Sequence, residues 1–376
     1  MRREQVRPRP DWVEKVEALG FDFHTHLQVN PPEPYWDESA CYVFTMEEVE
    51  QLEAATAELH RLALEAAAHI VAKERYPELG IPPRWWGLIE RSWRRGDFSL
   101  FGRFDLLYAP GYPPKLLEYN ADTPTTLLEA AVVQWFWKEE VFPEADQWNR
   151  LHEALIERWQ ALLPTAVHLT YYSGSLEDQR TVEYLADTAA QAGHSVHLLS
   201  IEQVGWDGSC FVDEAQRPIR TLFKLYPWEW WIHEEFGLYL LAEPFQPIEP
   251  AWKMLLSNKG LLAILWELFP GHPNLLPAYF QPERLPGPLV EKPLFSREGA
   301  NLTVRQGQAL LCSTPGPYGQ EGFVYQAYQP PPAFDGRHPV LGAWIVGEAP
   351  AGLGIREDRS PITQNTSCFV PHRIEV

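Results

Sequence analysis

Apolar positions recur at helical spacing over residues 45–67, behind the capping box Thr45-Met-Glu-Glu48. The same spacing predicts helices over 127–137 and 151–163, with Pro143 and Pro164 as breaks. Between these lies a different texture, two strands over 100–108 and 115–119 around the turn-rich Ala109-Pro-Gly-Tyr-Pro-Pro114. From Val167 the order becomes strand, helix, strand: VHLTYY, a helix over 178–192, Gly193, then SVHLLS. That order predicts an α/β lobe with a parallel pair, ending near Leu225. A Pro-rich connection over 243–250 leads to a long helix predicted over 252–268 and stopped by Pro270 and Gly271. Short strands follow at 289–294, 322–326, 340–347 and 352–356, separated by turn residues. The chain reads as a mixed α+β and α/β protein in three parts, residues 1–165, 166–250 and 251–376.

Composition narrows the class. Hydrophobic residues make up 45% of the 376 and charged residues 22%, which excludes an intrinsically disordered chain. The net charge of −20 repels phosphate backbones and argues against a nucleic-acid partner. It leaves two readings open, a field that attracts a cationic substrate such as a polyamine, or plain solubility. Cys41, Cys210, Cys312 and Cys368 have neither metal-ligand nor disulfide-framework spacing. The basic start has no apolar segment behind it, and no apolar run reaches the ~18 residues of a spanning helix. No membrane partner and a reducing cytoplasm are therefore expected.

Three constellations carry candidate chemistry. Arg103 and Asp105 share one strand face, as do Glu118 and Asn120. If the turn closes an antiparallel hairpin, two carboxylates and an amide oxygen converge, a donor set suited to magnesium. The alternative is an exposed hairpin whose charges face water. The run Glu118-Tyr-Asn-Ala-Asp-Thr-Pro-Thr-Thr126 continues into a helix, which Thr125 or Thr126 could cap, leaving N–H groups for an anion. Second, Lys259 follows Ser257-Asn258, and Lys292 ends a β-like run before the small loop Phe295-Ser-Arg-Glu-Gly-Ala-Asn301. Such a lysine and loop can hold phosphates, although no G-x-x-x-x-G-K-S/T motif is present; a solvent-facing lysine is the alternative for each. Third, Ala351-Gly-Leu-Gly-Ile leads into Arg356, whose planar fork suits a phosphate or an oxyanion, or else pairs with Glu357 or Asp358.

Taken together, LLEYNADTPTTLLEAAVVQWFW, KLYPWEWW, EPAWKMLLSNKGLLAILWELFPGHPNLL, VEKPLFSREGAN and AGLGIRED resemble the glutathionylspermidine synthase-like family over nearly the whole chain. The resemblance implies an ATP-grasp ligase core with a pre-ATP-grasp α/β lobe and a helical N-terminal region. It assigns 1–165 to the region with the metal-binding hairpin, 166–250 to the pre-ATP-grasp lobe and 251–376 to the nucleotide-binding lobe. It implies an ATP-dependent C–N ligase that joins a small peptide-like acid to an amine, a polyamine among the candidates, through an acylphosphate.

By the same resemblance, Asp105, Glu118 and Asn120 fall on magnesium positions and Lys259 and Lys292 on nucleotide-binding lysines. Ser296, Gly299 and Ala300 belong to the loop over the phosphates. Gln326 and Ala327 lie where main-chain groups should hold adenine. Arg103 and Arg356 match arginines of the reacting centre, Thr123 and Thr125 hydroxyls facing the carboxylate substrate, and Glu177 and Asp178 an acidic pair suited to a polyamine. The chain departs from the family at Asp122-Thr-Pro-Thr125, which removes support for glutathione as the acid. It shows no Cys and His arrangement of an amidase, so synthesis alone is expected. An ATP-binding module without catalysis that serves a partner protein, and a non-enzymatic structural protein, are the alternatives.

Overall fold

The structure, a computed structural model, describes residues 1–27, 29, 31–163 and 166–375. Pro164, expected to break a helix, lies outside them; the helix before it runs Leu151–Gln160. The first long helix, Met46–Lys73, begins as predicted: the Thr45 hydroxyl accepts from the Glu48 amide, and the Glu48 carboxylate accepts from the Thr45 amide. It runs six residues past the predicted end at 67, because apolar positions continue to Ile70 and Val71.

Three larger sheets organise the chain. The strands Gln246–Ile248, Thr221–Lys224, Ala166–Tyr171 and Ser195–Ser200 lie in that order, all parallel, with the helix Leu176–Gln191 crossing between the last two. The predicted parallel pair is thus one side of a four-stranded sheet, with Ser195–Ser200 at its edge. A second, antiparallel sheet has the order Ala278–Tyr279, Phe323–Ala327, Leu289–Pro293, Thr303–Gln306, Ala309–Ser313. Its last two strands form a hairpin that the periodicity did not predict. The third sheet has the order Cys368–Phe369, Ala349–Asp358, His338–Val346, Phe101–Leu107, Lys115–Asn120. The predicted hairpin therefore completes a sheet whose other three strands come from the last forty residues.

The single helix predicted over 252–268 is interrupted. A turn at Ala251–Lys253 and a short helix Met254–Ser257 precede a separate helix, Leu261–Leu268. Asn258 leaves the helical region (φ −75°, ψ 129°); its Oδ1 accepts from the Gly260 amide and its Nδ2 donates to the Leu79 carbonyl. The Lys259 amide donates to Leu294 O, tying the break to the second sheet. A Cβ on Gly260 would come within 2.6 Å of Leu79 and 2.9 Å of the Asn258 amide, so only glycine fits there. Apolar periodicity runs straight through this break, which is why it was invisible to spacing.

Two large apolar clusters fill the space between layers, with Trp36, Trp85, Trp137, Trp159, Trp228 and Trp344 fully buried. A buried ion pair joins the segment after the hairpin to the parallel sheet. Lys224 Nζ lies 2.5 Å from Asp122 Oδ1, and Asp122 Oδ2 accepts from the Trp228 amide at 2.9 Å. Both side chains are inaccessible to water, so each charge depends on the other. Lys224→Met is expected to cost about 3–5 kcal/mol, because it strands the Asp122 charge. A urea-unfolding series checks this, with Lys224→Met/Asp122→Asn regaining part of the loss; equal midpoints for wild type and the single variant would show the pair to be neutral.

Candidate active site

The antiparallel hairpin closes, and its register brings the two pairs side by side. Arg103 faces Asn120 and Asp105 faces Glu118 across the ladder, with a bulge after Asp105. Phe104 and Tyr119 stack on the opposite face, 3.8 Å between centroids, which fixes the polar set toward the cleft. Asn120 Nδ2 lies 3.3 Å from Asp105 Oδ2 and 3.2 Å from Glu118 Oε1. The three predicted oxygen donors thus meet. Asp105 is held by Arg103 in a two-point contact, Nε to Oδ1 at 2.7 Å and Nη2 to Oδ2 at 3.1 Å.

The two lysines reach the same place from distant elements. Lys259, projected by the helix break, puts Nζ 2.7 Å from Glu118 Oε2 and also donates to Ser296 O. Lys292, on the second sheet, donates to Leu117 O and to Gln326 Oε1, each at 2.8 Å. Burial by itself would raise the Glu118 carboxyl, but Lys259 and Lys292 outweigh it and hold the group well below the carboxylate range. Burial pushes the Lys292 ammonium down to about 8, against the pull of Glu118.

The cleft between the second and third sheets is lined by Arg103, Asp105, Glu118, Asn120, Lys292 and Arg356, and also by Thr123, Thr125, Gly299, Gln326 and Ala327. Among the described residues the Arg356 side chain has no hydrogen-bonded partner, and the alternative pairing with Glu357 or Asp358 is not made: Glu357 instead binds Arg3 and Tyr42. Ser296 is buried with its hydroxyl unpartnered, and the Ala300 amide donates to Arg297 O. Gly299 adopts φ 69°, and a Cβ there would meet Thr363 O at 2.2 Å, so the loop presses against the 361–365 segment. In the ladder Gln326 pairs with Val290 and Ala278, the Ala327 amide donates to Pro277 O, and the Gln326 side chain spans Lys292 and Leu116 O.

The segment after the hairpin is strained. Thr126, a β-branched residue, sits at φ 69°, a conformation that costs of order 1–3 kcal/mol. Arg103 Nη1 holds it, donating to Thr125 O at 2.6 Å and Thr126 Oγ1 at 3.2 Å. Thr126 therefore does not cap the helix that follows. That helix opens with a π-helical turn, Glu129–Val133. The Thr123 hydroxyl is engaged by Arg297, whose other arm pairs with Glu229 at 2.8 Å.

Glu177 and Asp178 lie in the first turn of the Leu176–Gln191 helix, half-buried at the Thr125 and Arg356 side of the cleft. Burial, then Glu298, raises the Glu177 carboxyl; burial, then Glu177, pushes Asp178 up to about 7. Sequence reasoning missed their neighbour Glu129, which is 0% exposed and accepts from the Tyr35 hydroxyl. A lone carboxylate within the apolar run Leu127-Leu-Glu-Ala-Ala-Val-Val133 was the available signal. It also missed Arg297, although the loop that carries it was singled out.

The glutathionylspermidine synthase pre-ATP-grasp family matches residues 3–375. A Haemophilus influenzae protein named as an acid–amine ligase is 42% identical, over 97% of this chain and 97% of its own. Trypanothione synthetase of Crithidia fasciculata is 28% identical over 85% of this chain, and the bifunctional glutathionylspermidine synthetase/amidase of Escherichia coli 25% over 96%. Of those two longer proteins the match spans 54% and 63%. Among solved structures, an apo glutathione synthetase-like effector of Globodera pallida superposes with a TM-score of 0.60 at 10% identity, covering 97% of this chain and 95% of that one. This is a fold of the ATP-grasp type, and the enzyme class is C–N ligase. The chain belongs to the glutathionylspermidine synthase pre-ATP-grasp family. Among the described residues, no helix is long and apolar enough to cross a membrane.

The Glu129 environment makes a stability prediction. Burial, then Glu177, pushes its carboxyl from 4.5 up to about 8. Between those values the folded state keeps a proton that the unfolded chain gives up, so stability falls as pH rises through that window. Glu129→Gln removes this group's share of the slope: relative to wild type it gains thermal stability at about pH 9 over about pH 5. Parallel melting curves for the two proteins across the range would disprove the raised carboxyl.

Proposed function

We propose that this protein is an ATP- and magnesium-dependent ligase that joins a small peptide-like carboxylate to an amine, a polyamine by preference, through an acylphosphate. The observation that carries this is the meeting of Asp105, Glu118 and Asn120 with the Lys292 ammonium in one cleft, with Lys259 in direct contact with Glu118. Two carboxylates and an amide within hydrogen-bond reach of one another fit a magnesium ion that takes its remaining ligands from water and phosphate. Bound there, the ion would supply charge neutralisation at the phosphates. The amide assignment of Asn120 turns its oxygen inward once a cation replaces the present contacts.

Lys259 and Lys292 hold phosphate oxygens, and the 296–300 loop with Gly299 excludes water that would hydrolyse the activated acid. Transfer of the γ-phosphoryl group to the substrate carboxylate gives the acylphosphate and ADP. Arg103 and Arg356 stabilise the charge that develops on the acyl oxygen as the amine nitrogen attacks the carbonyl carbon and phosphate leaves with its electron pair. Thr123 and Thr125 orient the acid. Glu177 and Asp178 receive a second, non-reacting ammonium of the polyamine, while the attacking nitrogen enters as the free amine and gives up its proton to the departing phosphate.

The test is ADP release against a panel of peptide acids paired with amines, with glutathione and spermidine as the first pair. Lys292→Ala and Asp105→Ala are expected to lower turnover by about 10²–10³ or more, while far-UV spectra remain those of the wild type. Full turnover by both variants, or no ADP with any pair, would overturn the proposal.

A further inference from the structure

The side of the cleft away from the lysines is short of positive charge. Glu129 and Glu177 interact there with each other and with Arg356, Glu298 faces Glu177, and Asp178 interacts with Glu177 and Glu298. Arg103 and Arg297 also face this group, but each already carries an ion-pair partner, Asp105 and Glu229. Glu129 is fully buried and Glu177 and Asp178 are half-buried, whereas Glu298 is exposed to water. Like charges crowded at a buried site cannot all ionise, so the Glu129–Glu177 pair holds a proton until a cation arrives.

Glu129 is the member best placed to hold one. Its side chain is inaccessible to water, Oε1 accepts from Tyr35, and Oε2 has no hydrogen-bond partner. A buried carboxylate oxygen without a donor costs far more than the same group neutralised by a proton. The groups facing it come from three elements: Tyr35 before the first long strand, Glu177 on the crossing helix and Arg356 on the third sheet. The ring of His26 packs edge-on against Tyr35, 5.2 Å between centroids. The π-helical turn that begins at Glu129 is a rare geometry that is frequent at functional sites.

Building on the ligase chemistry above, we propose that the amine end of the cleft takes up its ammonium in exchange for a proton held by the Glu129–Glu177 pair. Glu129 does not line the cleft and acts through Glu177, so it is a positioning residue. In the amine-free protein a proton resides on the pair. When an ammonium settles against Glu177 and Glu298, its charge stabilises the ionised carboxylates and the proton passes to solvent. The Tyr35 hydroxyl, which donates to the ionised Glu129, eases that release. Amine affinity accordingly rises with pH up to the range where Glu129 ionises by itself, about 8.

Calorimetric titration of the full chain with spermidine at pH 7, in buffers of different ionisation enthalpy, reads the proton directly. Wild type is expected to release close to one proton per spermidine bound. Glu129→Gln should lose most of that release, and its spermidine affinity should lose its rise with pH. Tyr35→Phe keeps Glu129 but removes the donor that lowers its carboxyl, so the pH of half-release moves upward. The second variant keeps the proposal falsifiable if the first fails to fold. Equal proton release in wild type and Tyr35→Phe at every pH, release unchanged in Glu129→Gln, or no spermidine binding at all would overturn it. None of these results bears on ADP release by the acid–amine panel, so failure here is distinct from failure of the ligase proposal.

Discussion

A carboxylate that is partly removed from water must find positive charge nearby, and Glu118 finds it twice. Lys259 contacts it directly and Lys292 lies within electrostatic reach. Neither lysine is a neighbour in sequence, and each is pinned by a second contact: Lys259 to Ser296 O in the loop, Lys292 to Leu117 O and Gln326 Oε1. One charge cluster therefore locks the hairpin, the loop and the second sheet into a single arrangement. Remove any member and the others are left with uncompensated charge in a low-dielectric site. The same feature means that the ammoniums need no reorganisation before an anion enters the cleft, since they are already gathered and aimed.

The sequence made the hairpin and the sharing of strand faces legible because strand alternation is a local rule. The placing of Asp105 opposite Glu118 was not, because it depends on the length of the turn and the bulge after Asp105. The strand-helix-strand segment was legible for a similar reason, since a parallel pair needs a crossover. The break at Asn258 was not. Its cause is a contact to Leu79, 179 positions away, and no window of local sequence contains both residues. Glu129 was hidden differently. Inside an apolar helical run its carboxylate looked like an exception on a packed face, and only Tyr35 and Glu177, brought by two other elements, make it part of a cluster.

The Phe323–Ala327 strand shows a further limit of motif reasoning. A resemblance carries residue positions but not the hydrogen bonds of neighbouring strands. Ala278–Tyr279 pairs beside this strand, and the Ala327 amide donates to Pro277 O. The strand also gives the cleft a side chain, since the Gln326 amide spans Lys292 and the Leu116 carbonyl and so sets the position of the lysine.

The two ends of the cleft are opposite in sign, and this sorts ligands before any specific contact forms. At one end two lysines depress a carboxyl; at the other, acids crowded around Arg356 raise each other. An anion is stabilised beside Lys259 and Lys292 and repelled by Glu177, Asp178 and Glu298, while a cation meets the reverse field. Between them stands Arg103, which binds Asp105 on one side and the strained Thr125-Thr126 backbone on the other. Its fork separates the two fields and fixes the segment that carries both threonines. A lysine there would keep the charge but could not make both contacts at once, because a single ammonium lacks the two-sided geometry of a guanidinium. The polarity of the cleft therefore rests on the shape of that one side chain as much as on its charge.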